Sequence, residues 1–320
     1  MKRNFSIFAA LGLVMLLLFG IDVCSGTIWL WPWGDPLSPM ETRILYAIRF
    51  PKAVTAILAG SALSVAGLIM QTLFRNPLAG PYTLGVSSGA SLGVAMLTML
   101  SVFSIQLSAF SLPVAAVIGA TLVLLLVLAV SRRVTSNVSL LIVGMMFGSI
   151  AGALVSLLQN FANPDALKLF IVWTLGSLNS VGWSDMPMMA SILLLGAFFV
   201  LLALKPLNGL LLGEDYAHGL GIDVARTRLY IVLATGLLAG GVTAFCGPVA
   251  FIGVAVPHIA RGIFLTSNHR ITVPASALIG ACLLLVCDIL CSLFIYPLPV
   301  STVSALFGAP VIIWIILKNK

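Results

Sequence analysis

About ten apolar stretches of membrane-spanning length fill this chain, and they restrict it to a fold that lives in lipid. A bilayer core about 30 Å thick takes about 20 apolar residues per helix, so ten spans use roughly 200 residues. The remainder of the 320 residues supplies short loops and no large soluble domain. Only 8% of the residues are charged, 61% are hydrophobic, and the mean hydropathy is +1.18. A soluble domain needs roughly a quarter of its residues charged, so this chain could not cover a water-facing surface. A membrane β-barrel would show alternating segments of about ten residues, whereas the apolar runs here are continuous. The expected fold is one all-α polytopic membrane domain spanning residues 1–320.

The spans are read at about 5–25, 53–73, 83–102, 113–131, 138–160, 186–204, 229–246, 249–265, 273–293 and 301–317. With the N-terminus inside, twelve Lys and Arg residues fall in inner loops and ends and four (Arg43, Arg49, Lys52, Lys168) in outer loops. The positive-inside rule therefore favours ten spans with both termini cytoplasmic. The net charge of +7 comes from short clusters between spans rather than a basic face, so no nucleic-acid partner is expected. Lys2, Arg3 and the following apolar run imitate a signal peptide, but further spans follow and a retained first helix is expected. Five cysteines lie within or beside apolar segments without paired metal-ligand spacing, and they read as packing residues.

Two loops are long. Residues 26–52 are rich in Trp and Pro, which suits an interfacial belt with a short helix near Pro39–Ile48. Residues 205–228 are polar and internal, with two helical turns separated by Gly219 and Gly221, and they read as a docking surface. Asn76-Pro77, Gly80-Pro81 and Gly247-Pro248 interrupt the helical pattern, as backbone lining a cavity or forming a tight surface loop would do. Gly60, Ala66 and Gly67 are echoed by Gly236, Gly240 and Gly241, a faint sign of two related halves. Asp288 is a carboxylate inside the ninth span, where it needs a partner or water. A structural partner is favoured over a proton relay.

The motifs Arg49-Phe-Pro51-Lys52, Gly60…Gly67…Met70-Gln71…Asn76-Pro77-Leu78-Ala79-Gly-Pro81…Leu84-Gly85…Gly89-Ala90 resemble the iron-chelate and cobalamin uptake permeases of ATP-binding-cassette (ABC) importers, the FecCD type. Trp173…Gly176-Ser177, Gly213-Glu214…Ala217-His218-Gly-Leu220-Gly221, Gly247-Pro248…Gly253…Pro257-His258…Arg261, Asp288, Pro299 and Gly308-Ala309-Pro310 continue the resemblance in order. It implies a type II importer permease with about ten helices per subunit, in the bacterial cytoplasmic (inner) membrane. The implied partners are a second copy of the chain, two ATPase subunits, and a periplasmic or surface-tethered substrate-binding protein.

By position, the resemblance implies that Arg49 and Lys52 meet acidic groups of the binding protein. It makes 205–228 a cytoplasmic coupling loop, with Gly213, Glu214, Ala217, His218, Leu220 and Gly221 facing the ATPase. It puts Asn76, Pro77, Leu78, Thr135 and Ser136 at the inner gate. The family's usual Arg after the ninth-helix acid is Ser292 here, its usual acid before Leu298-Pro299 is Pro297, and Ser301 stands where Gly is usual. No third docking charge can be assigned at that edge.

No Gly-x-x-x-x-Gly-Lys-Ser/Thr phosphate loop occurs, so ATP and Mg belong on a separate ATPase. No catalytic or metal constellation is read, and no cofactor is expected on this chain. The function expected is ATP-driven import of an iron chelate (ferric siderophore or haem). Cobalamin import is the alternative, followed by an ion-gradient-driven secondary transporter. A membrane scaffold without a pathway is the remaining reading.

Overall fold

The structure is a computed structural model and describes residues 2–26, 29–30, 38–99, 112–131, 133, 136–294 and 298–318. All regular structure among the described residues is helical. The helices are α1 (Lys2–Cys24), α2 (Pro39–Ile44), α3 (Phe50–Phe74), α4 (Val86–Met99), α5 (Leu112–Ser131), α6 (Asn137–Phe161), α7 (Pro164–Thr174), α8 (Met186–Leu210), α9 (Glu214–Gly219), α10 (Val224–Cys246), α11 (Ile252–Phe264), α12 (His269–Ser292) and α13 (Val300–Lys318). Seven segments are long and apolar enough to cross a membrane, α2 and α3 counting as one continuous segment of 36 residues, and α4, α11 and the first part of α13 are shorter apolar helices.

Two compact units make up the chain. One holds residues 1–68, 176–191 and 249–320, the other residues 69–175 and 192–248. The units interleave in sequence, with Gly60, Ala66 and Gly67 in the first and Gly236, Gly240 and Gly241 in the second.

In the first unit α12 packs against α1, α11 and α13. The approach of α3 to α11 is set by glycine: a Cβ on Gly67 would lie 1.6 Å from the Gly253 carbonyl oxygen. Backbone meets backbone there, and no side chain fits. In the second unit α4 contacts α5, α6, α7 and α10. A Cβ on Gly119 would come 2.1 Å from the Gly89 carbonyl oxygen, so small residues again set the helix distance. The free flank of α1 carries exposed apolar side chains, with Phe5 77% and Leu16 64% accessible. Such a face suits lipid rather than water.

The helix expected near Pro39 is present and runs into α3. It begins with a capping box: the Glu41 backbone N–H donates to Ser38 Oγ at 3.3 Å, and Ser38 N–H donates to Glu41 Oε2 at 2.8 Å. Between α2 and α3 the backbone widens to a π-turn, Leu45–Arg49. Pro51 has no N–H to offer the Tyr46 carbonyl. The Trp183 indole N–H donates to that carbonyl instead, at 2.7 Å. Residues 31–37, including most of the expected Trp belt, lie outside the described residues.

Candidate functional site

The second unit gathers three stretches around one cavity of about 480 Å³, lined by Leu73, Phe74, Arg75, Ser136, Asn137, Val138, Glu214 and Asp215. They are the end of α3, the start of α6 and the start of α9. The sequence reading treated gate and loop as separate features, and the fold brings Ser136 and Glu214 to the same wall.

The Asn76-Pro77 break is built locally. Arg75 takes a left-handed backbone, φ 48°. The Leu78 N–H donates to Asn76 Oδ1 at 2.9 Å, an Asx turn that closes over Pro77. Pro77 and Leu78 are exposed, Leu78 by 48%. A 3₁₀ turn, Pro81–Leu84, then leads to Gly85 in the left-handed region and into α4. Ser136 caps α6 by accepting from the Val138 N–H at 3.2 Å. Thr135, the other expected gate residue, lies outside the described residues.

The expected loop 205–228 is shorter than its sequence boundaries. α8 runs on through Pro206 to Leu210, α9 spans Glu214–Gly219, and α10 starts at Val224. Gly213 has φ 118° and ψ 158°, a region essentially reserved for glycine. A Cβ there would also sit 3.2 Å from Arg75 Nη2. Ala217 is fully buried and anchors α9, its carbonyl accepting from the Ile222 N–H at 3.0 Å. Gly221 turns the chain with φ 77°. His218 and Leu220 face outward, and Leu212, Tyr216 and Leu220 are each about 60% exposed, so the loop presents an apolar face rimmed by Asp215 and His218.

Three residues that the sequence reading passed over complete the two sites. In the second unit Asn137 Nδ2 donates to the Leu73 carbonyl at 2.8 Å and to Glu214 Oε1. Arg228, with a side chain 8% exposed, places Nη2 3.7 Å from the same Glu214 oxygen. In the first unit Asp22 is fully buried, and Lys52 Nζ lies 3.9 Å from its Oδ1 and 2.9 Å from Asp288 Oδ2. Lys52 is thus the structural partner expected for Asp288. Asp22 carried a readable signal, being a carboxylate within an apolar run, the same signal that singled out Asp288. Asn137 carried none: its partners are 64 and 77 residues away.

Arg49 is also buried. Its guanidinium donates to the Cys24 carbonyl at 2.7 Å and to the Val23 carbonyl at 3.4 Å, at the C-terminal end of α1. A cation there satisfies carbonyls that have no intrahelical donor. A Cβ on Gly26 would lie 2.6 Å from Arg49 Nη2, so the chain passes tightly over the guanidinium. Arg49 and Lys52 therefore both find their partners inside their own unit. Ser292 donates its hydroxyl back to the Asp288 and Ile289 carbonyls at 3.0 and 2.9 Å. Pro297 lies outside the described residues.

Long apolar helices meeting through glycine, a buried ion cluster, and a broken helix beside a polar cavity define a multi-pass membrane transport protein. The chain belongs to the FecCD transport family, whose pattern matches residues 7–318. It is a permease of the ABC importer class. It is 36% identical over 320 residues to the vitamin B12 import system permease protein BtuC of Salmonella paratyphi A, covering 99% of this chain and 97% of that protein. It is 35% identical over 319 residues to BtuC of Escherichia coli O6:K15:H31 (strain 536 / UPEC), covering 99% and 96%. A solved metal-chelate type ABC transporter in an inward-facing conformation has the same fold, with TM-score 0.87, 28% identity, and coverage of 98% of this chain and 99% of that one.

Proposed function

We propose that this chain is the permease subunit of a cobalamin importer. The observation that carries the reading is the likeness to vitamin B12 permeases at 36% identity over 99% of this chain and 97% of theirs. The iron-chelate cargo favoured by family breadth has no comparable support and gives way to cobalamin.

In this reading the ten apolar helices α1, α3, α4, α5, α6, α8, α10, α11, α12 and α13 span the cytoplasmic membrane of a bacterium, with both termini inside. Two copies enclose the pathway. An ATPase subunit sits under each copy against Gly213, Glu214, Ala217, His218, Leu220 and Gly221. The exposed apolar side chains of Leu212, Tyr216 and Leu220 favour a protein partner for this face. Asn76, Pro77, Leu78, Thr135 and Ser136 form the inner gate. ATP and Mg bind to the partner. This chain contributes helices that move and no reacting group.

A substrate-binding protein docks at the outer end of α3. For Arg49 and Lys52 to engage its acidic groups, those groups must compete with the Cys24 carbonyl and with Asp288. Docking at this edge is therefore coupled to rearrangement of the buried cluster rather than to simple contact between exposed charges.

The test is growth. A cobalamin-dependent strain lacking its own cobalamin permease receives this chain with its ATPase and binding protein. Growth at limiting cobalamin supports the proposal. Rescue of siderophore-dependent iron uptake without rescue of cobalamin-dependent growth overturns the cargo.

A further inference from the structure

We propose that Asn137 is a positioning residue for transport, tying the loop that carries Glu214 to the end of α3. Movement of the loop is thereby delivered to the Asn76–Pro77–Leu78 segment. The proposal rests on reading that loop as the ATPase-coupling loop and that segment as the gate.

The geometry is specific. One nitrogen, Asn137 Nδ2, uses its two hydrogens on two acceptors from different stretches: the Leu73 carbonyl at 2.8 Å and Glu214 Oε1. Leu73 precedes Asn76 by three residues, at the last turn of α3. Neither a carbonyl nor a carboxylate can donate, so the amide must present its NH₂ group and cannot flip. Asn137 Oδ1 is buried and accepts no hydrogen bond, so the nitrogen alone holds the side chain in its orientation.

Glu214 is held from the other side by Arg228 in the second turn of α10, at 3.7 Å from the same oxygen. A displacement of Glu214 therefore acts on α6 through the amide, on α3 through the amide's second bond, and on α10 through the guanidinium. The cavity of about 480 Å³ beside the link leaves room for the displacement without a packing clash. A hydrogen bond to a charged group is strong enough to carry such a motion, and it is directional.

The experiment uses the assembled importer, permease with its ATPase and binding protein, in proteoliposomes. Cobalamin uptake and ATP hydrolysis are measured together. Asn137→Leu removes both donated bonds at similar volume, and uptake per ATP hydrolysed is expected to fall by about tenfold, the scale of a lost charge-assisted bond. Asn137→Gln keeps a donor amide and is expected to retain more of that ratio.

Glu214→Gln keeps an acceptor oxygen for Asn137 but removes the charge that strengthens that bond and the pair with Arg228, and its ratio is expected to fall by less than in Asn137→Leu. This arm decides the matter if Asn137→Leu does not assemble. Should Glu214→Gln uncouple as strongly as Glu214→Arg, the charge toward Arg228 carries the signal and the role of Asn137 is overturned. A parental ratio in Asn137→Leu overturns it as well. If Glu214→Arg leaves uptake intact, the coupling-loop reading itself fails. If Glu214→Arg abolishes uptake while Asn137→Leu keeps the parental ratio, only the link fails.

Discussion

Lys52 Nζ lies 2.9 Å from Asp288 Oδ2, with the side chains 7% and 4% exposed, and Asp22 closes the other side at 3.9 Å. Three helices, α1, α3 and α12, each contribute one ionisable side chain to a cluster shut off from water. Asp22 accepts no hydrogen bond at either oxygen, and the Lys52 ammonium at 3.9 Å supplies positive charge beside it. Arg49, bonded to the end of α1, adds a second positive charge near Asp22. Removing one partner of a buried pair is costly because the remaining charge stays buried.

Lys52→Met strands two carboxylates and is expected to lose about 3–5 kcal/mol of stability. Asp288→Asn, which leaves Lys52 with Asp22, is expected to lose less. Thermal unfolding of the purified subunit in detergent checks both. A Lys52→Met protein that melts with the parent would show that the cluster does not support the fold.

Backbone contact between α3 and α11 gives a sharper contrast. A Cβ on Gly67 would meet the Gly253 carbonyl at 1.6 Å, whereas a Cβ on Gly12 meets nothing within 4 Å. Gly67→Ala must push the helices apart and is expected to cost about 1–3 kcal/mol or more. Gly12→Ala is expected to cost nothing, since alanine favours a helix by about 1 kcal/mol over glycine. Unfolding curves of the two variants, measured side by side, check the pair.

Gly213 is confined by its backbone, φ 118°, and by Arg75. Gly213→Ala is expected to cost about 1–3 kcal/mol locally. The melting temperature of the subunit should change little, because the strain is confined to one short loop outside the long helices. Uptake by the assembled importer should fall. Limited proteolysis at the loop reports the local loss, and unchanged cleavage together with unchanged uptake would contradict the assignment of strain there.

Hydropathy made most of the fold legible, because a run such as 138–160 has no water-stable alternative. Element ends were less legible. The helix before α3 joins it through a π-turn because Trp183 satisfies the Tyr46 carbonyl, a contact 137 residues long that no local pattern encodes. α8 outlasts Lys205-Pro206 because a proline removes one helical bond without ending the helix. The motifs pointed to Glu214 and Ser136, yet their meeting at one cavity depends on three distant stretches folding together. The sequence placed Arg49 and Lys52 as outward docking charges by position alone. Their burial follows from Asp22 and the α1 carbonyls, whose proximity only tertiary structure creates.

The most direct measurement is uptake into proteoliposomes holding the permease, its ATPase and its binding protein, with and without enclosed ATP. Cobalamin, ferric siderophores and haem are offered in parallel. The account predicts cobalamin accumulation that requires ATP and that falls in Glu214→Arg. Equal accumulation without ATP, or accumulation driven by an ion gradient, would contradict it.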